Sequence, residues 1–136
     1  MIAERTPHVA PAVAGGVRLV LRGEGLALLA AATAAYAHFG FGLGYFALGF
    51  FAPDISFVGY LAGPRVGAAV YNAVHSTIGP LALCAAGALG GPEGLLAVGL
   101  IGLAHIGFDR ALGYGLKYAA GFHQTSLSSR PEPVRT

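Results

Sequence analysis

The sequence predicts an all-α bundle of four transmembrane helices, with both chain termini on the cytoplasmic side. Charged residues make up only 10% of the chain and hydrophobic residues 55%, and the mean hydropathy is +0.66. Soluble domains contain about 25% charged residues, and a chain of 136 residues has too little interior to bury so much apolar surface. The composition therefore predicts a lipid bilayer as the main partner, and the lack of a basic patch disfavours nucleic acid.

Four apolar segments follow one another along the chain, and each is long enough to cross a bilayer as a helix. They are predicted at residues 17–38, 45–62, 66–89 and 94–118, with glycine-containing turns between them. Pro53 interrupts the second segment and Pro80 the third, and a proline inside a helix removes one backbone hydrogen bond. Residues 1–16 are predicted to form a flexible N-terminal tail, and residues 119–136 a polar C-terminal tail.

The positions of lysine and arginine predict the orientation of these segments. Arg18 and Arg22 lie at the start of the first segment, Arg65 lies between the second and third, and Lys117 lies at the end of the fourth. The turns at 39–44 and 90–93 contain no lysine or arginine. Because cytoplasmic loops carry the excess of basic residues, this alternation places both termini in the cytoplasm.

Each apolar segment also contains an acid or a histidine, and these residues are candidates for a functional site. At a rise of about 1.5 Å per helical residue, all of them fall between the cytoplasmic interface and the midplane. Facing lipid would cost each about 2.5–3.5 kcal/mol, so we expect them to face one another inside the bundle. The set consists of Glu24, Asp54, His75, His105 and Asp109.

Two imidazoles and several carboxylates are the ligands that zinc, manganese or iron binds. His75, His105 and Asp109 would supply the three protein ligands of a catalytic ion, with Asp54 or Glu24 as a fourth ligand or a general base. Arg110 would pair with a carboxylate or hold an anionic substrate. The predicted function is a metal-dependent hydrolase that uses a divalent ion, zinc or manganese. Its site would open to the cytoplasmic leaflet and act on a lipid-like substrate.

Two other functions fit the same residues. In the first, the protein is not an enzyme, and its buried polar network fixes the packing of the helices. In the second, the acids and histidines carry protons or a small solute across the membrane. Small residues spaced four apart, such as Ala27 and Ala31 or Gly87 and Gly91, also predict close helix contacts and a homo-oligomer.

Several stretches carry a resemblance to a known family. Arg22-Gly23-Glu24-Gly25, Pro53-Asp54-Ile55-Ser56, Tyr71-Asn72-Ala73-Val74-His75 and the run from His105 to Tyr118 resemble the bacterial membrane family called domain of unknown function 4260. The resemblance covers about residues 17–127, and it implies a small multi-pass protein of the bacterial inner membrane without a known activity. The family commonly ends in Thr-His-Leu-Gly, where this chain has Thr125-Ser126-Leu127-Ser128.

A weaker similarity is to inner-membrane metal-dependent hydrolases. Those proteins have a Pro-Asp motif, then a His-Ser motif, then a late helical histidine and aspartate. The chain has the same order in Pro53-Asp54, His75-Ser76, His105 and Asp109. The hydrolases carry a second acid where this chain has Ser56. This similarity implies a metal site in which Asp54, His75, His105 and Asp109 are the ligands.

Overall fold

The computed structural model describes residues 11–128, and every extended regular element in that range is a helix, as predicted. In chain order these are α1 (Gly15–His38), α2 (Leu43–Phe50), a 3-10 helix (Ala52–Ala62), α3 (Pro64–His75), α4 (Ile78–Ala88) and α5 (Glu93–Leu112). Most of the predicted N-terminal tail, residues 1–10, and the last part of the C-terminal tail, residues 129–136, lie outside the described residues.

Three helices of the described chain are long and apolar enough to cross a membrane. They are α1, the continuous run Leu43–Ala62 formed by α2 and the 3-10 helix, and α5. The segment predicted at 66–89 is divided into α3, of 12 residues, and α4, of 11 residues. A straight crossing needs about 17 residues or more, and each of these helices is shorter. Three elements of the described chain, rather than the four predicted, are therefore long and apolar enough to cross a membrane.

Both interruptions of the helical path occur close to a proline. Pro53 is the second residue of the 3-10 helix, where a missing N–H costs little. Pro80 lies in the first turn of α4, and the chain is extended four residues earlier, at Ser76 (φ −75°, ψ 143°). Ser76 is the residue whose carbonyl loses its helical partner when residue 80 is a proline. The prolines therefore account for the places where the second and third segments change direction.

α5 is the central helix because α1, α2 and α4 all pack on it. α1 runs antiparallel to it, and the two backbones touch where Gly25 of α1 meets Gly107 of α5. A Cβ at Gly107 would lie 2.6 Å from the Gly25 carbonyl oxygen, so both positions need glycine. Towards the other end of α1, Ala32 packs against Leu103 and Ala104. The core is thus a thin layer of small and aliphatic side chains around α5.

The fourth segment was predicted to be helical to residue 118, but α5 ends at Leu112. Gly113 has a φ of +93°, which is the left-handed conformation that ends many helices. The Gly113 N–H donates to the Arg110 carbonyl at 3.0 Å, and the Tyr114 N–H to the Asp109 carbonyl at 2.8 Å. These two bonds satisfy carbonyls that the end of the helix leaves without partners.

The residues after α5 fold back on the helices, and the described part of the predicted polar tail is packed. Lys117 and Thr125 form an isolated antiparallel bridge, and the Ser126 N–H donates to the Leu116 carbonyl at 2.9 Å. Thr125 and Leu127 are buried. The Arg18 guanidinium donates through Nε to the Leu127 carbonyl at 2.6 Å, which ties this loop to the start of α1.

The contact between α1 and α5 predicts different effects for two glycines on the same helix. A Cβ at Gly25 would lie 2.7 Å from the Arg110 Cβ and 2.8 Å from the Ala111 nitrogen. Gly25→Ala should therefore lower the free energy of unfolding by roughly 1–3 kcal/mol. An added Cβ at Gly23 meets nothing within 4 Å, so Gly23→Ala should leave stability unchanged or raise it slightly. Thermal unfolding in detergent measures both, and equal losses would contradict the close contact.

A candidate metal centre

The structure brings Asp54, His75, His105 and Asp109 together at one point. Each offers one ligand atom, and these atoms all lie within 4.8 Å of one another. The Nε2 atoms of His75 and His105 are 3.2 Å apart. Each of these nitrogens also contacts one oxygen of the Asp54 carboxylate and one of the Asp109 carboxylate, at distances between 3.1 and 3.5 Å. The four side chains therefore form a compact group that could hold a metal ion.

Three separate elements deliver these side chains. Asp54 is the third residue of the 3-10 helix, and His75 is the last residue of α3. His105 and Asp109 lie one turn apart on α5, so their side chains share one face of that helix. Asp54 and His75 thus come from the points where the second and third segments are interrupted, and the unbroken α5 supplies the other two.

Burial differs across the group and shows which side is open. The His105 side chain is 1% exposed and that of His75 3%, while Asp109 is 17% exposed and Asp54 37%. Buried ionisable groups need partners, because a charge left alone in an apolar interior is costly. The two imidazoles lie on the buried side of the group, and the Asp54 carboxylate lies on its most exposed side.

The rings of both histidines are held in place by their neighbours. His75 Nδ1 donates to the Tyr71 carbonyl at 3.0 Å, which directs Nε2 towards the other three residues. The His75 ring also stacks on the Tyr71 ring, with centroids 3.7 Å apart and planes 11° apart. Phe50 packs edge-on against His105. A histidine that ligates a metal commonly donates its other N–H to a backbone carbonyl, as His75 does here.

The spacing of the ligand atoms suits a small divalent ion. Metal–ligand bonds of about 2.0–2.2 Å at tetrahedral angles place ligand atoms about 3.3–3.6 Å apart. Five of the six distances among these four ligand atoms are 3.1–3.5 Å, and the two carboxylates lie within 4.8 Å of each other. A cavity of about 10 Å³ adjoins His75, Asp109 and Arg110, which is about the space of one water molecule.

Glu24 and Arg110, the other predicted site residues, do not belong to this group. Glu24 is exposed on α1 and lines a separate cavity of about 330 Å³, together with Arg110 and Leu127. Depth along the membrane predicts Glu24 beside the others, but depth does not determine the direction in which a side chain points. Arg110 lines both this cavity and the water-sized cavity beside Asp109.

Tyr71 supports His75 and Lys117 packs against Tyr71, and the sequence interpretation missed both contacts. Tyr71 was recognisable in principle, since it lies four residues before His75 and so on the same face of a helix. Lys117 is buried, and its ammonium lies 3.7 Å from the centroid of Phe122 and 4.8 Å from that of Tyr71. Asn72 holds the Lys117 backbone through two hydrogen bonds, of 2.7 and 2.8 Å. Asn72 therefore fastens the loop after α5 to α3.

Lys117 lies after the end of α5, and its surroundings change its protonation. Burial lowers the pKa of Lys117, and the nearby carboxylates of Asp109 and Asp54 raise it by a smaller amount. The resulting pKa is about 8. The ammonium donates to the Phe122 carbonyl at 2.7 Å. The aromatic rings around it offer cation–π contacts in place of water.

This pKa predicts a pH dependence of stability. The unfolded chain holds the Lys117 proton up to its ordinary pKa of 10.5, whereas the folded chain releases it near pH 8. Stability therefore rises between about pH 8 and 10.5, because the unfolded state binds more protons in that window. Lys117→Met lacks this contribution. The difference in Tm between the wild type and Lys117→Met should shift in favour of the wild type from pH 7.5 to pH 10, and a shift in the other direction would contradict the burial of a charged amine.

Comparison with known proteins identifies the chain at the level of a family. The family model described as a domain of unknown function (DUF4260) matches residues 18–129. A search of the curated proteins and a search of the solved structures each gave no match. The weaker similarity to metal-dependent hydrolases gains no support from these comparisons.

Proposed function

The chain belongs to the DUF4260 family, and since the description of that family names no activity, we propose a function from the site itself. The protein is a membrane hydrolase that depends on a divalent metal ion, zinc or manganese. His75, His105 and Asp109 hold the ion, and Asp54 is its fourth ligand or the general base. The observation that carries this proposal is the contact of both Nε2 atoms with each other and with both carboxylates at 3.1–3.5 Å.

The surrounding residues suit hydrolysis. A bound divalent ion supplies Lewis acidity and lowers the pKa of a water molecule towards 7. Asp54, the most exposed of the four side chains, would act as the proton acceptor of the site where it is not the fourth ligand. Tyr71 keeps the His75 ring in position through its carbonyl. Arg110, beside the water-sized cavity, binds an anionic group of the substrate.

In the proposed membrane arrangement, α3 and α4 together form a fourth, broken crossing of the bacterial inner membrane, and both termini are cytoplasmic. The contacts support alternating directions. Gly25 of α1 meets Gly107 of α5, and Gly87 of α4 meets Leu96 of α5, so α1 and α4 are antiparallel to α5. Broken helices at membrane depth are tolerated where they line a cavity or are buried in protein. The basic residues Arg18, Arg22, Arg65 and Lys117 then lie at one end of the bundle.

A homo-oligomer formed through small-residue helix faces stays a proposal. Gly87 is used within the chain, where it packs against Leu96. Ala27 and Ala31 are exposed on α1, and they leave a small-residue face on which a second copy can pack.

The second candidate function is a structural one, in which no metal binds and the polar group fixes the packing of the helices. One observation favours it. Each imidazole already contacts both carboxylates, so the four groups satisfy part of their hydrogen-bonding capacity without an ion. The two candidates differ in what happens when two members of the group are removed together.

The proposed arrangement in the membrane predicts the results of reporter fusions. Fusions after Gly40 and Gly91 should report the periplasmic side, and fusions after Gly63 and at the C-terminus the cytoplasmic side, because the basic residues are retained inside. A cytoplasmic reading at Gly91 would mean that α3 and α4 do not cross the membrane together.

The metal proposal predicts that purified protein contains about one zinc or manganese ion per chain, measured by elemental mass spectrometry of detergent-solubilised protein. His105→Ala and Asp109→Asn should each lose the ion and the hydrolytic activity. Glu24→Gln is the matched control, since Glu24 is an acid outside the group, and it should keep the ion.

Stability of the same variants separates the two candidates. In a structural network, each single substitution leaves a buried partner uncompensated at a cost of about 3–5 kcal/mol, and the double variant His105→Ala/Asp109→Asn recovers much of that loss. In a metal enzyme, the ion and the activity stay lost in the double variant whatever happens to Tm. Wild-type protein that binds no metal when zinc, manganese and iron are supplied would rule out the hydrolase.

A further inference from the structure

An apolar groove of about 660 Å³ opens on the side of the bundle, next to the metal centre. Its walls come from the two interrupted segments and from α5, and they carry only apolar residues and glycine. Among them are Gly49 and Pro53 at the first interruption, Val74 and Gly79 at the second, and Ile101 on α5. The groove therefore lies where the second and third segments part from each other.

The groove lies beside the polar group, because chain neighbours of the polar residues form its walls, and none of the four polar side chains lines it. Pro53 immediately precedes Asp54, and Val74 immediately precedes His75. Ile101 lies one helical turn before His105 on α5. In the other direction, a second groove of about 710 Å³ shares Gly49, Val98 and Ile101 with the first. Together they form a mainly apolar path that starts beside the polar group and reaches Glu93 in the first turn of α5.

We propose that this path binds the acyl chain of a membrane lipid, whose polar end lies at Asp54, His75, His105 and Asp109. The helices that bound the path include two of the three that can cross a membrane, so its mouth lies at the depth of the lipid hydrocarbon. A groove of several hundred Å³ is of the size that holds a ligand. An ordinary lipid of the surrounding bilayer covers apolar surface only, whereas this path passes next to the polar group, at the chain neighbours Pro53 and Val74 of Asp54 and His75.

The assignment of the lipid as a substrate rests on the proposed hydrolase, and it names the substrate class of that site. The polar group lies near the end of α5, with Asp109 three residues before Leu112, and the first groove extends from beside it to Val98, towards the middle of the helix. A lipid with its head group at that end and its tail towards the midplane matches this order of polar and apolar surface. The first groove therefore favours a lipid of the leaflet nearest the metal centre.

Gly79 offers a way to fill the groove without disturbing the fold. It is the second residue of α4 and lines the groove, and an added Cβ there meets nothing within 4 Å. Gly44 is the matched control, since it is the second residue of α2 and its added Cβ also meets nothing within 4 Å. Gly44 lines neither groove. Gly79→Leu and Gly44→Leu thus add the same side chain at the same position of two short helices.

The test uses the full chain in nanodiscs of palmitoyl-oleoyl phosphatidylglycerol that contain a small fraction of the same lipid with a diazirine in one acyl chain. After illumination, labelled peptides are mapped by mass spectrometry. In the wild type, the groove walls around Val74 and Leu83 should be labelled more than the exposed face of α1 around Leu19 and Leu26. Gly79→Leu should lower the wall labelling by about tenfold, as expected when apolar bulk fills a pocket, and Gly44→Leu should leave it unchanged.

The outcomes separate this inference from the proposed hydrolase. Wall labelling no higher than that of α1, or an equal loss in both variants, would overturn the acyl-chain site even if the protein binds metal. Cross-links through the groove to a second copy of the chain would also overturn it. Wild-type protein without metal, but with groove labelling that only Gly79→Leu removes, would reject the hydrolase and keep the lipid site. Both variants should retain the metal content of the wild type.

Discussion

The convergence of two buried imidazoles and two partly exposed carboxylates at one point is the constraint on which the rest of the structure depends. Removing one partner of a buried charged group typically costs about 3–5 kcal/mol, so all four side chains have to reach the same place. A straight helix presents neighbours on one face only every three or four residues, and α5 supplies His105 and Asp109 in that way. The other two must come from different segments at the same level.

The interruptions of the second and third segments meet this requirement. Asp54 lies at the start of the 3-10 helix and His75 at the end of α3, each next to a change of backbone conformation. The same interruptions leave the apolar groove between Pro53, Val74 and Gly79. One structural device, a broken helix near a proline, therefore positions Asp54 and His75 and opens the surface beside them. The continuous α5, packed closely on α1 through Gly25 and Gly107, provides the fixed side of the arrangement.

Much of this arrangement could be predicted from the sequence, for physical reasons that apply to particular residues. The spacing of His105 and Asp109 determines their shared face, and the rise per residue places Asp54 and His75 at a similar depth. Depth does not determine the direction in which a side chain points around the helix axis. Glu24 lies at a similar depth, but its side chain is on the exposed side of α1.

The loop after α5 could not be predicted in the same way. The end of α5 itself had a signal in the sequence, because Gly113 is a glycine that ends the helix through its left-handed conformation. The packing of residues 113–128 depends on long-range bonds such as those between Asn72 and Lys117. A sequence pattern contains no direct record of bonds between residues so far apart in the chain.

The charge balance of the four side chains favours a cation at their centre. In the described part of the chain, Asp54 and Asp109 form ion pairs only with the two histidines. The Lys117 ammonium lies instead against Tyr71 and Phe122. Two protonated imidazoles would direct two N–H groups at each other across the 3.2 Å between the Nε2 atoms, so protonation of both rings compensates the two carboxylates poorly. A divalent ion would neutralise both carboxylates and accept the lone pairs of both neutral imidazoles, which is why the arrangement supports the proposed metal site.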